Sequence, residues 1–299
     1  MKLPTFVVIG APKSGTTSLY FYLRQHPDIY LPKTKELHYF SFPDLGMSSS
    51  GPGDAAVLSG LCQTWEQYTE QYTNVSNQSA IGDISPSYLY YSSSARKIFE
   101  TLGSVKIIVI VRNPVDKAYS QYMHMVREGL ETLSFSDAIA AESGRREQGW
   151  GDIWRYAESS LYADRLNEFI SVFGKENVEI ILFDDFIKDT SSILTDLLRF
   201  IGVDPKVEIS SNETFNRTGT PRCAYISDIL RNQSFLKDLV KRVLPVELRH
   251  RLRSWLMNIN TGDKPELPAH LRISLQNYFH DDIVKVERLV GKPTKWLEG

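Results

Sequence analysis

Two stretches constrain the fold more than any other. Residues 105–111 (VKIIVIV) and 178–183 (VEIILF) are apolar almost without a break. A strand wet on one face alternates apolar and polar side chains. A run without alternation suits a parallel sheet covered on both faces. Shorter strand-like runs lie at 6–9 and 80–84. Helical patterns fall between them, at 16–24, 86–101, 115–127, 162–173 and 189–201, and from residue 235 the pattern is helical to the end near Trp296. Alternating strands and helices predict an α/β fold: a doubly wound, mainly parallel sheet flanked by helices, with a helical C-terminal part. No repeat, low-complexity tract or strong linker divides the 299 residues, so one domain over 1–299 is expected. Two segments read as loops: 43–60, rich in Ser and Gly, and 143–152 (SGRREQGWGD). Their length suits either an acceptor lid or a surface excursion without fixed structure.

Composition excludes several classes. The formal net charge is −2, so no global field draws the chain to nucleic acid or to a membrane, and an anion site must be built locally. No stretch reaches the roughly 20 apolar residues of a membrane span. The opening MKLPTFVVIGAPKSG lacks a cleavage site and reads as a strand, not a signal peptide. Cys62 and Cys223 are too few for a disulfide framework or a metal cluster. They read as free thiols of a reducing compartment, and the expected location is the cytoplasm. Asn-x-Ser/Thr triplets such as Asn74-Val75-Ser76 and Asn216-Arg217-Thr218 then read as chance matches.

Residues 10–23, GAPKSGTTSLYFYL, form a Gly-rich turn between a strand and a helix that stops at His26-Pro27. Such a turn binds phosphate: backbone N–H groups point at the anion, and the helix dipole favours it. A nucleoside-triphosphate loop has lysine after its second glycine. Here Gly10 and Gly15 have the right spacing, but Thr16 occupies that place and the lysine lies inside the loop, at Lys13. Gly15 permits close approach. Lys13 adds charge, and Ser14, Thr16, Thr17 and Ser18 offer hydroxyl donors. A triphosphate site also places a carboxylate at a strand end to help hold magnesium. Run 105–111 ends instead in Arg112-Asn113-Pro114, and a basic residue there points to a second phosphate rather than a metal.

With these residues in view the chain resembles the sulfotransferases that use 3′-phosphoadenosine 5′-phosphosulfate. APKSGTTSL resembles their 5′-phosphosulfate loop. VIVRNPVDKAYSQY, 109–122, resembles their 3′-phosphate element, with Arg112 at the strand end and Ser120 about two turns into the next helix. KELHYF (35–40) and GDISPSYL (82–89) resemble elements of the heparan-sulfate-type branch, and FNRTGTPR (215–222) resembles the late loop that closes over the nucleotide. The resemblance covers nearly the whole chain and implies a phosphate-loop-like sulfotransferase fold. There are departures. Leu37 stands where the branch has proline, and Ile84 where it has an active-site lysine, so Ile84 is given no catalytic role. The paired cysteines of many Golgi members are missing near the late loop, which suits a soluble bacterial relative.

The resemblance implies in-line transfer of a sulfuryl group to an acceptor hydroxyl, with adenosine 3′,5′-bisphosphate as the second product and no metal. Lys13 is expected at the bridging oxygen of the leaving phosphate. Ser14, Gly15, Thr16, Thr17 and Ser18 are expected at the 5′-phosphate, and Arg112 and Ser120 at the 3′-phosphate. Arg217, Thr218, Gly219 and Arg222 are further nucleotide contacts. Glu36 is the expected base and His38 its rival, since an imidazole needs no pKa shift to serve. Lys35 is placed at the donor sulfate. Asp83, Ser85, Tyr88 and Tyr162 are placed on the acceptor side. The acceptor stays open among a small secondary metabolite, a carbohydrate, a lipid and a carrier-tethered acyl chain, and the oligomeric state is not legible. Two other classes compete: a phosphate-loop nucleotide or small-molecule kinase, and a non-catalytic module for a sulfated or phosphorylated ligand.

Overall fold

The computed structural model describes residues 2–91, 93–211 and 265–298. Among them, β1 (Phe6–Gly10), β2 (Ile29–Tyr30), β3 (Ala80–Ile84), β4 (Lys106–Val111) and β5 (Val178–Leu182) form one sheet. The strand order is β2-β3-β1-β4-β5, and every pairing is parallel. The helices are α1 (Thr16–Leu23), α2 (Phe42–Met47), α3 (Asp54–Leu58), α4 (Trp65–Glu70), α5 (Ser93–Leu102), α6 (Pro114–Arg127), α7 (Phe135–Ala140), α8 (Glu142–Glu147), α9 (Ala163–Phe173), α10 (Phe183–Lys188), α11 (Thr190–Ile201) and α12 (Ala269–Val290).

The uninterrupted apolar runs have the expected cause. Along β1, Val7 and Ile9 enter one core while Phe6 and Val8 enter the other. Along β4, Ile107, Val109 and Val111 face the first core, and Ile108 and Ile110 the second. Helices α5, α6, α9 and α12 cover the first face through residues such as Ile98, Val115, Phe169 and Ile283. Helices α1 and α11 cover the second through Leu19, Leu23, Leu194 and Leu198. In α12, Leu275, Phe279, Ile283 and Val286 are all buried, a helical stripe at i, i+4, i+8 and i+11. Asp282 on the same helix accepts from the N–H groups of Tyr162 and Ala163, both at 2.9 Å, and so caps α9.

Two expectations change. The pattern at 86–101 is not one helix. A 3₁₀ turn, Pro86–Leu89, precedes α5, and Tyr88 turns inward to reach Asp83. The segments read as loops are folded and joined to each other. Asp54, at the start of α3, is buried and accepts from Gly51 N at 2.9 Å, Gly151 N at 3.0 Å and Trp154 Nε1 at 3.0 Å. Ser50 N adds a bond to Gly149 O at 2.9 Å. Helix α6 pins the far side, where Lys117 Nζ donates to Ser159 O at 2.9 Å and Gln121 Nε2 to Ile153 O at 2.9 Å. Replacing Asp54 with Ala orphans three donors, two of them buried. Urea unfolding is expected to lose about 2–4 kcal/mol, with amide exchange rising first at 149–154.

Candidate active site

The loop after β1, Ser85 after β3 and Arg112 after β4 stand side by side at the carboxyl ends of adjacent parallel strands, because β1 lies between β3 and β4. In open α/β sheets this edge is where ligands bind.

The loop has the features that an anion site needs. Gly15 adopts φ 89°, and a Cβ there would sit 3.2 Å from both Phe183 and Phe186, so conformation and space both call for glycine. No side chain caps the first turn of α1, which leaves its leading N–H groups for a ligand. Ser14 is fully buried, and its hydroxyl has no partner among the described residues. Thr16 is buried, and Thr17 and Ser18 are partly exposed at the same turn. Lys13 takes a left-handed φ of 65°, a conformation that costs about 1–2 kcal/mol for a non-glycine residue. Arg112 Nη1 donates to Lys13 O at 3.1 Å and its guanidinium stacks on Phe183 at 4.8 Å, which fixes the loop. Burial, then the charge of Arg127, pushes the Lys13 ammonium down to about 8; Arg112 adds to this and Glu36 opposes it. Cations that act on one another in this way raise the local potential for an anion.

Glu36 and His38 share neither a strand face nor a helix. Both take left-handed backbone conformations, φ 65° and 54°, in an irregular segment. Strain of this kind persists where surrounding contacts over-determine it, and it clusters at functional sites. Here Ser85 Oγ accepts from His38 N at 3.0 Å and Leu37 O accepts from Cys62 N at 3.1 Å. The Glu36 carboxylate is hydrogen-bonded by Lys35 Nζ and lies 3.7 Å from His38 Nε2. Partial desolvation works to raise its pKa, although the side chain is 41% exposed. The His38 ring and the Lys35 charge outweigh that and hold the carboxyl at about 2.

Asp83, Ser85 and Tyr88 form a buried frame rather than an open wall. Asp83 accepts from Ser85 Oγ at 2.6 Å, Tyr88 OH at 2.8 Å and Tyr68 OH at 3.0 Å. Burial raises the Asp83 carboxyl above its ordinary range, against those hydrogen bonds. The frame supports the 36–41 segment from below through Ser85. Tyr162 is buried against the backbone and charge of Arg112, so it borders the strand-end arginine. Ser120 is buried on α6. Arg217, Thr218, Gly219, Arg222 and Cys223 lie outside the described residues, and Cys62 is a buried free thiol.

Two neighbours went unread in the sequence. His124 and Arg127 follow Ser120 at i+4 and i+7 and so share its helix face. That spacing, counted from the strand-end arginine element, was the available signal. Arg127 Nη2 lies 3.1 Å from His124 Nδ1. Guanidinium only donates, so Nδ1 accepts and His124 carries its proton on Nε2. Burial, then the charges of Lys13 and Arg127, hold His124 down at about 3, a neutral imidazole beside Lys13 and Glu36.

A glycine-rich loop at a strand end, with a half-buried lysine inside it and an arginine on the neighbouring strand, defines an α/β protein of the phosphate-loop type. The pattern of the Sulfotransferase family matches residues 4–206, and the chain belongs to that family. The crystal structure of a sulfotransferase from Alicyclobacillus acidocaldarius matches with TM-score 0.79 and 30% identity, over 99% of each chain. Membrane-associated sulfotransferase kil1 of Dictyostelium discoideum is 37% identical over 120 residues, 40% of this chain and 22% of its own length. Bifunctional heparan sulfate N-deacetylase/N-sulfotransferase 4 of Mus musculus is 26% identical over 99% of this chain and 31% of its own length. The chain thus spans under a third of either curated relative. Among the described residues no helix is long and apolar enough to cross a membrane.

Proposed function

We propose that this sulfotransferase moves a sulfuryl group from 3′-phosphoadenosine 5′-phosphosulfate to an acceptor hydroxyl. The observation that carries the reading is the loop: a partly desolvated ammonium, an orphaned buried hydroxyl at Ser14 and an uncapped helix start converge beside a strand-end arginine. That set fits a phosphosulfate ester. Lys13 neutralises charge as it builds on the leaving phosphate oxygen. The N–H groups of the first turn, with Ser14, Thr16, Thr17 and Ser18, hold the 5′-phosphate. Arg112 and Ser120 serve the 3′-phosphate, with Tyr162 behind Arg112. His124 offers an Nε2–H beside Lys13. Glu36 and His38 stand where an acceptor proton leaves, and Lys35 reaches the sulfuryl oxygens once it parts from Glu36. The 43–60 segment follows residues 35–40, the 143–160 segment is pinned to α6 through Lys117 and Gln121, and the two together form an acceptor-side wall. No observation favours the kinase alternative. Heparan sulfate named for one relative marks carbohydrate as one acceptor class, beside small metabolites and carrier-bound chains. The cytoplasm remains the proposed location and 1–299 the proposed single domain.

The acceptor is found by incubating producer-cell extract with enzyme and donor and searching by mass spectrometry. A product heavier by one sulfuryl group is expected. Donor consumption with no such product contradicts transfer.

The Lys13 pKa gives a pH signature for binding of adenosine 3′,5′-bisphosphate. Bound anion favours the ammonium, so affinity is full below about 8 and falls as pH rises through it. The decline approaches tenfold per unit, because one proton must be taken up on binding. A phosphate monoester is already dianionic above about pH 7, so its own ionisation leaves this window clear. Calorimetry between about pH 7 and 9.5 reads the slope, and a flat profile contradicts the role of Lys13.

A further inference from the structure

Proton bookkeeping around His38 settles more than distances alone. A serine hydroxyl has one proton to give, and a neutral imidazole has one N–H. Ser41 Oγ donates to the His38 carbonyl at 3.1 Å, which commits its proton. Ser41 Oγ and Ser87 Oγ are 2.6 Å apart, so the proton between them comes from Ser87. The Ser87 oxygen then has only lone pairs for His38 Nδ1, 2.5 Å away. With all three bonds made at once, Nδ1 is the donor.

We propose that Ser41 and Ser87 close a ring of hydrogen bonds that holds His38 as its Nδ1–H tautomer and leaves Nε2 as the proton acceptor of the site. The ring runs from Nδ1–H to Ser87, from Ser87 to Ser41, and from Ser41 back to the carbonyl of His38. Both serines are buried, Ser41 completely and Ser87 with 5% exposed, and the His38 side chain is 12% exposed. The ring and the bond from His38 N to Ser85 together explain how a left-handed histidine is held there.

The charged groups facing His38 are carboxylates from three elements. Glu36 Oε2 lies 3.7 Å from Nε2. Asp83 on β3 and Asp152 in the 143–160 segment both feel the His38 charge. Lys35 is engaged with Glu36, and the Tyr88 ring lies edge-on at 6.5 Å. A proton arriving at Nε2 therefore meets negative charge, and no bond of the ring has to reverse. That is preorganisation in the sense that lowers a proton-transfer barrier.

The functional half of the inference rests on the transfer reading above. The acceptor oxygen bonds to sulfur as the bond from sulfur to the 5′-phosphate oxygen breaks. The phosphate oxygen keeps the electron pair, and the hydroxyl proton passes to Nε2. Glu36, held ionised by Lys35, stabilises the imidazolium beside it. Ser87 and Ser41 are positioning residues, acting through the tautomer.

The test is long-range ¹H–¹⁵N NMR of the full chain labelled at histidine nitrogens, with His38 identified by its loss in His38→Gln. The expected spectrum of neutral His38 shows a protonated Nδ1 and an unprotonated Nε2. Ser87→Ala is expected to admit the Nε2–H tautomer and to slow sulfuryl transfer into producer-cell extract about tenfold or more. Ser87→Thr is expected to restore both, and affinity for adenosine 3′,5′-bisphosphate should stay within about twofold in either variant. An Nε2–H signal in the unaltered protein overturns the proposal. So does a His38 that stays doubly protonated wherever the fold persists, or an unchanged tautomer in a folded Ser87→Ala. The spectrum of the unaltered chain decides the question even where a variant does not fold. Failure of that chain to bind the bisphosphate contradicts the transfer reading alone, while the tautomer is still read from the same sample.

Discussion

Lys13→Ala is expected to reduce sulfuryl transfer by about 10³-fold or more while leaving the chain folded. Loss of one preorganised neutral donor at a developing oxyanion costs about 10²–10³ in rate, and here a full charge is lost. The same substitution is expected to raise stability. Folding lowers the Lys13 pKa from 10.5 to about 8, so the folded state disfavours the ammonium relative to the unfolded chain. At about 1.4 kcal/mol per unit, less the packing of the lysine stem, the variant gains roughly 1–2 kcal/mol. The sign has a pH window. Between about 8 and 10.5 the unfolded chain holds the extra proton, so the unaltered protein becomes more stable as pH rises. The gain is therefore full below about pH 8 and vanishes toward 10.5. Rate assays and urea unfolding on one preparation read both effects. A variant that is active, or less stable at pH 7, contradicts this account.

Asp83→Ala is expected to cost about 3–5 kcal/mol in urea unfolding. Three hydroxyls, of Ser85, Tyr88 and Tyr68, converge on one buried carboxylate and would be left in a low-dielectric interior without an acceptor. Ser85 also holds the backbone of His38, so the loss extends to the strained 36–41 segment. Transfer should fail below the unfolding midpoint, while the loop at 10–15, borne on β1, still binds adenosine 3′,5′-bisphosphate. Asp83→Asn keeps one acceptor oxygen and is expected to lose about half as much. A change under about 1 kcal/mol for Asp83→Ala would show the frame to be dispensable.

Four of the five strands were legible because a covered parallel strand needs an apolar run and shows little else. The exception, β2, is only two residues long, and Ile29-Tyr30 carries no pattern of its own. The loop around Lys13 was legible because glycine, lysine and hydroxyl residues mark it chemically. The folding of 43–60 was not, because Asp54 is fixed by Gly151 and Trp154, about a hundred residues away. Local Ser and Gly content cannot report a partner that distant. Glu36 and His38 were legible as a pair and illegible in geometry, since non-glycine residues rarely take positive φ and nothing in KELHYF announces it. Asp83, Ser85 and Tyr88 carry chemistry-bearing side chains, yet the fold spends them on one another. His124 and Arg127 were visible as spacing from Ser120, and their meaning emerged only when α6 was placed beside the loop.

The most direct measurement is a calorimetric titration of the chain with adenosine 3′,5′-bisphosphate in the presence of a chelator. The account predicts saturable binding of one bisphosphate per chain, independent of magnesium and lost in Lys13→Ala. No heat of binding, or binding seen only for ATP with magnesium, would contradict it.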